Sequence, residues 1–148
     1  MADTIIGPGA LSDLTGAIYD CALDPARWPG TLEAINATFG FASAGLALNA
    51  LPSGRVLLYT LANVEQEWQA SSANYGGDAV ALWGGIERVQ RFPLDEPIVH
   101  SNLEGLPPLQ ENRYFLEWLQ PQGLVDAVVI CFARDSTMIG TVGFNRHV

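Results

Sequence analysis

Apolar positions along this chain follow a helical rhythm first and a strand rhythm later. Leu11, Leu14, Ile18 and Cys21 lie three and four residues apart, the signature of one face of an amphipathic helix. Ser12 and Asp13 suit its first turn, and Asp24-Pro25 ends it. Trp28, Leu32, Ile35 and Phe39 mark one face of a second helix, which closes at Gly40. The pattern then changes. Phe41 to Ala50 is rich in small residues with Leu46 and Leu48 alternating, and Arg55 to Leu61 is a second apolar run beyond Pro52-Ser53-Gly54. Two such runs about a turn predict a β-hairpin.

Val64, Trp68 and Tyr75 predict a helix ending near Gly76-Gly77, and Asp78 to Phe92, carrying Leu82, Ile86 and Val89, predicts another. A short strand follows over Glu96 to Ser101. Pro107-Pro108 opens a helix from Leu109 to Leu119, which Pro121-Gln122-Gly123 ends. Strands over Asp126 to Arg134 and Met138 to Asn145, joined at Asp135-Ser136, complete the pattern. The expected fold class is therefore α+β: about five strands in an antiparallel sheet flanked by helices. Residues 1–10 read as an N-terminal extension and residues 11–148 as a single domain.

Composition narrows the functional classes. The net charge is −9, and all 7 basic residues are arginine. Without lysine there is no Schiff-base chemistry and no phosphate-loop lysine. An acidic chain with scattered arginines is a poor partner for phosphate backbones, so no direct nucleic-acid binding is expected. No apolar run approaches the roughly 20 residues that span a bilayer, and Met1 to Gly9 lacks the basic and apolar regions of a secretory signal. Cytoplasmic localisation is the expectation. Cys21 and Cys131 fall in apolar surroundings, where a free thiol acts as a small hydrophobe.

Candidate chemistry is sparse. His100 and His147 have no partner at metal-ligand spacing, no nucleophile elbow or cysteine–histidine pattern occurs, and the glycine pairs at 76–77 and 84–85 lack a phosphate-loop pattern. Neither an enzyme nor a cofactor or metal site is expected. What stands out is a group of aromatic residues with one carboxylate: Trp68, Tyr75, Asp78 and Trp83, joined by Tyr59 and Trp118 as candidate ligand-binding residues. Aromatic walls around one acceptor suit a small-molecule pocket; the same residues also suit an ordinary core with Asp78 as a helix N-cap. Gly45, Ala47, Ala127, Cys131, Ala133, Gly140 and Gly143 make the sheet faces unusually small, which either leaves volume for a guest or admits close helix packing.

Two motifs carry a family resemblance: Ile18-Tyr19-Asp20-Cys21-Ala22-Leu23-Asp24-Pro25-Ala26-Arg27-Trp28-Pro29, and Phe115-Leu116-Glu117-Trp118-Leu119-Gln120-Pro121-Gln122-Gly123-Leu124. Over roughly residues 11 to 146 the chain resembles the N-terminal PAS- or GAF-like sensor regions of LuxR-type bacterial transcription regulators. The resemblance implies a non-catalytic domain that binds a small molecule and controls dimerisation of a helix-turn-helix part. A looser similarity to the acyl-homoserine-lactone receptors of that group carries Trp68, Tyr75 and Asp78 over as ligand contacts. Tyr75 stands one residue closer to Asp78 than in that pattern, and Ala79 takes the place of its proline. A homodimer seam at Leu11, Leu14 and Ile18 is the expected partner surface. The other reading is a dimerisation or protein-interaction module with a filled core. Because the sequence stops at Asn145-Arg146-His147-Val148, either an excised sensor or a stand-alone relative is expected.

Overall fold

A computed structural model describes residues 5–147. Five strands form one antiparallel sheet in the order β2-β1-β5-β4-β3: β1 (Ser43–Ala50), β2 (Val56–Ala62), β3 (Pro97–Val99), β4 (Leu124–Arg134) and β5 (Met138–His147). The first and last strands pair at the centre of the sheet, and both expected hairpins, β1–β2 and β4–β5, are present. The tight β4–β5 connection is held by Asp135, whose Oδ1 accepts from the backbone N–H groups of Thr137 (2.7 Å) and Met138 (3.0 Å). Side chains alternate across a pleated strand, so Ala44, Leu46, Val128, Val142 and Phe144 face one layer while Gly45, Ala47, Val129, Thr141 and Gly143 face the other.

The first layer is α1 (Pro8–Leu23) and α2 (Trp28–Phe39), joined by a 3₁₀ turn, Pro25–Arg27. Pro8 occupies the first turn of α1, where its missing N–H costs nothing. The helix thus begins three residues inside the stretch expected as an extension. Gly40, at φ 75°, closes α2 in the left-handed conformation that side chains resist. Leu32 of α2 is fully buried against Ala44, Leu46, Ala62 and Phe144. The exposed edge strand β2 carries no charged residue, and Val56, Leu57 and Leu58 stay largely exposed along it.

The second layer departs from the expected helices. The chain runs from α3 (Gln66–Ser72) through a 3₁₀ turn (Ala73–Tyr75) directly into α4 (Gly76–Leu82), so Gly76-Gly77 starts a helix where an end was expected. The break falls instead at Gly84 and Gly85, whose φ values of 100° and 95° cut the expected helix of residues 78–92 to α4 and the one-turn α5 (Ile86–Val89). The expected helix over Leu109–Leu119 is a 3₁₀ turn (Leu109–Glu111) followed by a π-helical turn (Phe115–Leu119). Asn112 explains the interruption. Its Oδ1 accepts from the Phe115 N–H at 2.9 Å and its Nδ2 donates to the Asp78 carbonyl at 2.9 Å, bonds that replace a helical ladder.

Trp118 anchors this layer. It is 1% exposed, packs among Val64, Leu82, Phe115, Leu119 and Leu124, and donates its indole N–H to the Trp68 carbonyl at 2.9 Å. Replacing Trp118 by Ala is expected to cost about 3–5 kcal/mol of unfolding free energy, measured by urea denaturation.

Asp126 ties β4 to the segment after β3. Burial alone would raise its carboxyl pKa, but the Ser101 hydroxyl at 2.6 Å, the backbone N–H groups of Ala127 and Ser101, and Arg146 at 3.5 Å together bring it below the usual carboxylate range. A carboxyl whose folded pKa is depressed contributes stability that is present above its unfolded pKa and is lost as pH falls through the folded one. The expected outcome is that Asp126→Asn lowers stability at neutral pH and flattens the decline between about pH 5 and pH 2, read from denaturation midpoints across that range.

Candidate functional site

The small residues on the second face of the sheet leave space that the covering layer does not fill. Gly45 and Gly143 are direct cross-strand partners, as are Ala47 and Thr141, so the middle of the sheet presents little side-chain bulk. The residues above them are large and held apart. Tyr114 stacks on Trp118 at 5.2 Å and tilts against Tyr75 at 5.9 Å, while Trp83 meets Phe92 and His100 edge-on at 6.4 and 5.1 Å. Rings fixed against one another cannot collapse onto a bare sheet, and voids remain.

Two adjoining partly open cavities result, of about 220 Å³ and about 150 Å³. The larger reaches from Asn49 and Val56 past Ser72 and Tyr75 to Phe92 and Cys131. The smaller runs over Gly45 and Gly143 to Trp118 and Leu119. Ala47, Tyr59, Trp83, Tyr114, Val129 and Thr141 border both, forming a waist between two lobes. Gly45 matters to this shape: a Cβ there would come within 3.3 Å of Leu61 and 3.7 Å of the Tyr59 ring, which lies across the strand. Burial pushes the phenol pKa of Tyr59 up, with the nearby Ser72 hydroxyl pulling the other way, and burial also pushes that of Tyr114 strongly up. Both are neutral phenols at physiological pH. Cys131, fully buried in the wall, has its thiol pKa raised by burial, which the positive charge of Arg134 opposes.

Of the residues expected from the sequence, Tyr59, Tyr75, Trp83 and Trp118 line these cavities. Trp68 does not; its ring packs beside the Val64–Trp118 cluster and its carbonyl receives the Trp118 indole N–H. Asp78 does not either, and the expected buried acceptor must be corrected. Gly76, Ala79, Val80 and Trp83 face the cavity at helical spacing, which turns Asp78 outward. Its carboxylate pairs with Arg113 at 3.4 Å with the side chain 37% exposed. It is not an N-cap, since it lies inside the first turn of α4. Arg113 extends this surface network to Glu117 at 3.2 Å and lies 5.1 Å over the Tyr75 ring, bracing the outside of the cavity wall.

Gly45, Ala47, Ala127, Cys131 and Gly143 line the lobes as small residues, but Ala133 and Gly140 do not. Gly140 lies on the opposite face, where a Cβ would collide with Phe132 at 2.7 Å. Tyr114 and Thr141 were absent from the sequence-based set. Tyr114 stands four residues before Trp118, a spacing that signals an aromatic pair.

The expected seam residues Leu11, Leu14 and Ile18 overlook the other face of the sheet. They form one side of an apolar trough of about 740 Å³ whose opposite side includes Ile130, Phe132 and Val142. Leu11 and Ile18 remain 46% and 42% exposed. The trough is the larger concavity, yet Thr15 is its one polar lining residue, so it offers little to orient a small molecule. Among the described residues there is no cluster of three or more potential metal-ligating side chains, and no helix is long and apolar enough to cross a membrane.

The structure is thus a five-stranded antiparallel sheet with a partly open cavity under one helical layer. No family model matches the chain, and no curated protein matches it in sequence. Among solved structures, the N-acylhomoserine lactone-dependent LuxR family transcription factor CepR2 from Burkholderia cenocepacia is similar. It aligns over 96% of this chain and 80% of its own, with a TM-score of 0.61 and 17% sequence identity. The likeness establishes the α+β fold expected from the sequence.

Asp78→Ala is expected to change stability by less than about 1 kcal/mol, because a half-exposed ion pair contributes little in water. Thermal denaturation of the two proteins checks this.

Proposed function

We propose that this chain is a non-catalytic, small-molecule-sensing regulatory domain of the LuxR type, PAS- or GAF-like in architecture, with its ligand held between the sheet and α3–α5. The observation that carries this reading is the two-lobed cavity over Gly45, Gly143 and Ala47, walled by Tyr59, Trp83 and Tyr114. Voids of this size are uncommon in close-packed interiors, and a dry cavity of about 150 Å³ already accepts a molecule as large as benzene. The fold shared with a regulator described as dependent on an acyl-homoserine lactone supports the class. The outward-facing Asp78 separates this site from the lactone-receptor pattern that the sequence suggested. A module with a filled core fits the cavity poorly.

Homodimerisation belongs to the same proposal. Leu11, Leu14 and Ile18 leave an apolar strip of α1 part-exposed, and burying such a strip against a second copy is favourable. The charge of −9 supports an output through partner or linked domains rather than direct contact with nucleic acid.

The test is thermal denaturation of the chain against a panel of uncharged lactones, ketones and phenols of about ten heavy atoms, a size set by the cavity volume. A ligand at a hundredfold excess over its Kd is expected to add about 2.7 kcal/mol of stability. Ala47→Leu, which fills the waist, is expected to keep the fold and abolish every such shift. A panel that moves neither protein, with Ala47→Leu more stable than the parent, would refute a ligand cavity.

A further inference from the structure

We propose that the open edge of β2 is a self-association surface, on which β2 of a second copy pairs antiparallel so that the two sheets become one. The contact depends neither on the cavity nor on the α1 strip.

The open edge is the first argument. β2 ends the strand order, with β1 along one side and no strand along the other. Among the described residues, no hydrogen bond from outside the sheet reaches Val56–Ala62; the nearest end at Arg55 and Val64. Its outer N–H and C=O groups are therefore free to pair. Val56, Leu57 and Leu58 are exposed in succession, so apolar surface accompanies them. Proteins usually blunt such an edge with charge, proline, brevity or a covering element. The opposite edge is blunted in this way, since β3 is only 3 residues long and begins with Pro97, which has no N–H. On β2 the one such device is a bulge. Register passes from Leu48–Leu58 to Asn49–Val56, which makes Leu57 the extra residue and leaves the ladder regular from Leu58 onward.

Charge selects the occupant. Arg55 stands just before β2, and Glu65 and Glu67 follow shortly after it. All three are exposed, and among the described residues none of them makes an ion pair. No other Asp, Glu, Lys, Arg or His lies between Arg55 and Glu65. A strand with a cation at its start and acids beyond its end is complementary to itself in the antiparallel sense. Arg55 of each copy then approaches the acids of the other, and a two-fold axis makes the contact twice. Parallel pairing would set arginine on arginine. This matters because each chain carries a charge of −9, so two copies repel over most of their surfaces. β2 offers an uncharged middle with matched ends, which is where that repulsion is relieved.

The contact is also separate and small. The trough beneath α1 takes no lining residue from β2, so the two surfaces do not share side chains. A strand of 7 residues gives a contact at the low end of the specific range, for which about 800 Å² per partner is standard. Association through β2 is therefore expected to respond to protein concentration.

The test is sedimentation velocity over a concentration series in the Ile18→Glu chain, where a charge on the α1 strip removes the other contact. This chain is expected to dimerise still. Adding Leu58→Lys, which charges the edge at a residue outside both lobes, should leave only monomer. Arg55→Glu in the same background should weaken the dimer roughly tenfold, and adding Glu65→Arg and Glu67→Arg should restore it. Amide hydrogen exchange reads the strand itself: protection within Val56–Ala62 should rise with concentration while that of α1 stays constant. Near-UV circular dichroism verifies the fold of each variant. The charge swap, confined to exposed residues, reads the contact if Leu58→Lys fails to fold, and the same series in the parent chain serves if Ile18→Glu does. Monomer at every concentration, a dimer indifferent to Leu58→Lys and to Arg55→Glu, or a charge reversal that the swap does not rescue would overturn pairing at β2. Open-ended aggregates in place of a dimer would overturn it too, since a two-fold strand contact closes on itself.

Discussion

The pairing of Gly45 with Gly143, flanked by Ala47 opposite Thr141, sets the condition under which the rest of this fold is built. A sheet normally fills its buried face with branched side chains that meet the helices above. Here the central strands offer almost none on one face, while Leu46, Val142 and Phe144 fill the other in the ordinary way. Large rings line the space instead: Tyr59 from β2 of the sheet, and Trp83, Tyr114 and Trp118 from the covering layer. Large rings spanning a thin sheet leave gaps between them, and those gaps are the cavity.

The covering layer needs rigid fastening because it does not rest on a dense sheet. Three features provide it. The Trp118 indole bonds to the Trp68 carbonyl, joining the segment before β4 to α3. Asn112 links the same segment to α4 through the Asp78 carbonyl. Arg113 donates to the Asn74 carbonyl at 3.0 Å and spans Asp78 and Glu117 from outside. Asn112 and Arg113 lie outside the cavity lining, whereas Trp118 both fastens the layer and borders the smaller lobe.

The strands were legible from the sequence because alternation and turn residues are local signals: the turns at Pro52-Ser53-Gly54 and Asp135-Ser136 placed both hairpins. The small residues on the sheet pointed to spare volume, yet Ala133 and Gly140 turned out to serve other surroundings because a list of small residues carries no face assignment. Asp78 was misplaced for a related reason. Reading Gly76-Gly77 as a helix end hid the continuous face of Gly76, Ala79, Val80 and Trp83, and with the phase lost the carboxylate could be drawn into the pocket. Tyr114 was missed because 3₁₀ and π turns replace the expected helix, a choice made by Asn112 bonding to its neighbours and to a distant carbonyl.

The distribution of indoles has a practical outcome. Trp83 and Trp118 border the cavity, whereas Trp28 lies beyond the sheet against α2's own cluster. Intrinsic fluorescence of the unlabelled protein thus contains both a reporter and a reference. Filling the lobes alters the polarity and quenching around two emitters and leaves Trp28 in the same surroundings, so occupancy can be followed optically at low concentration without attaching a dye.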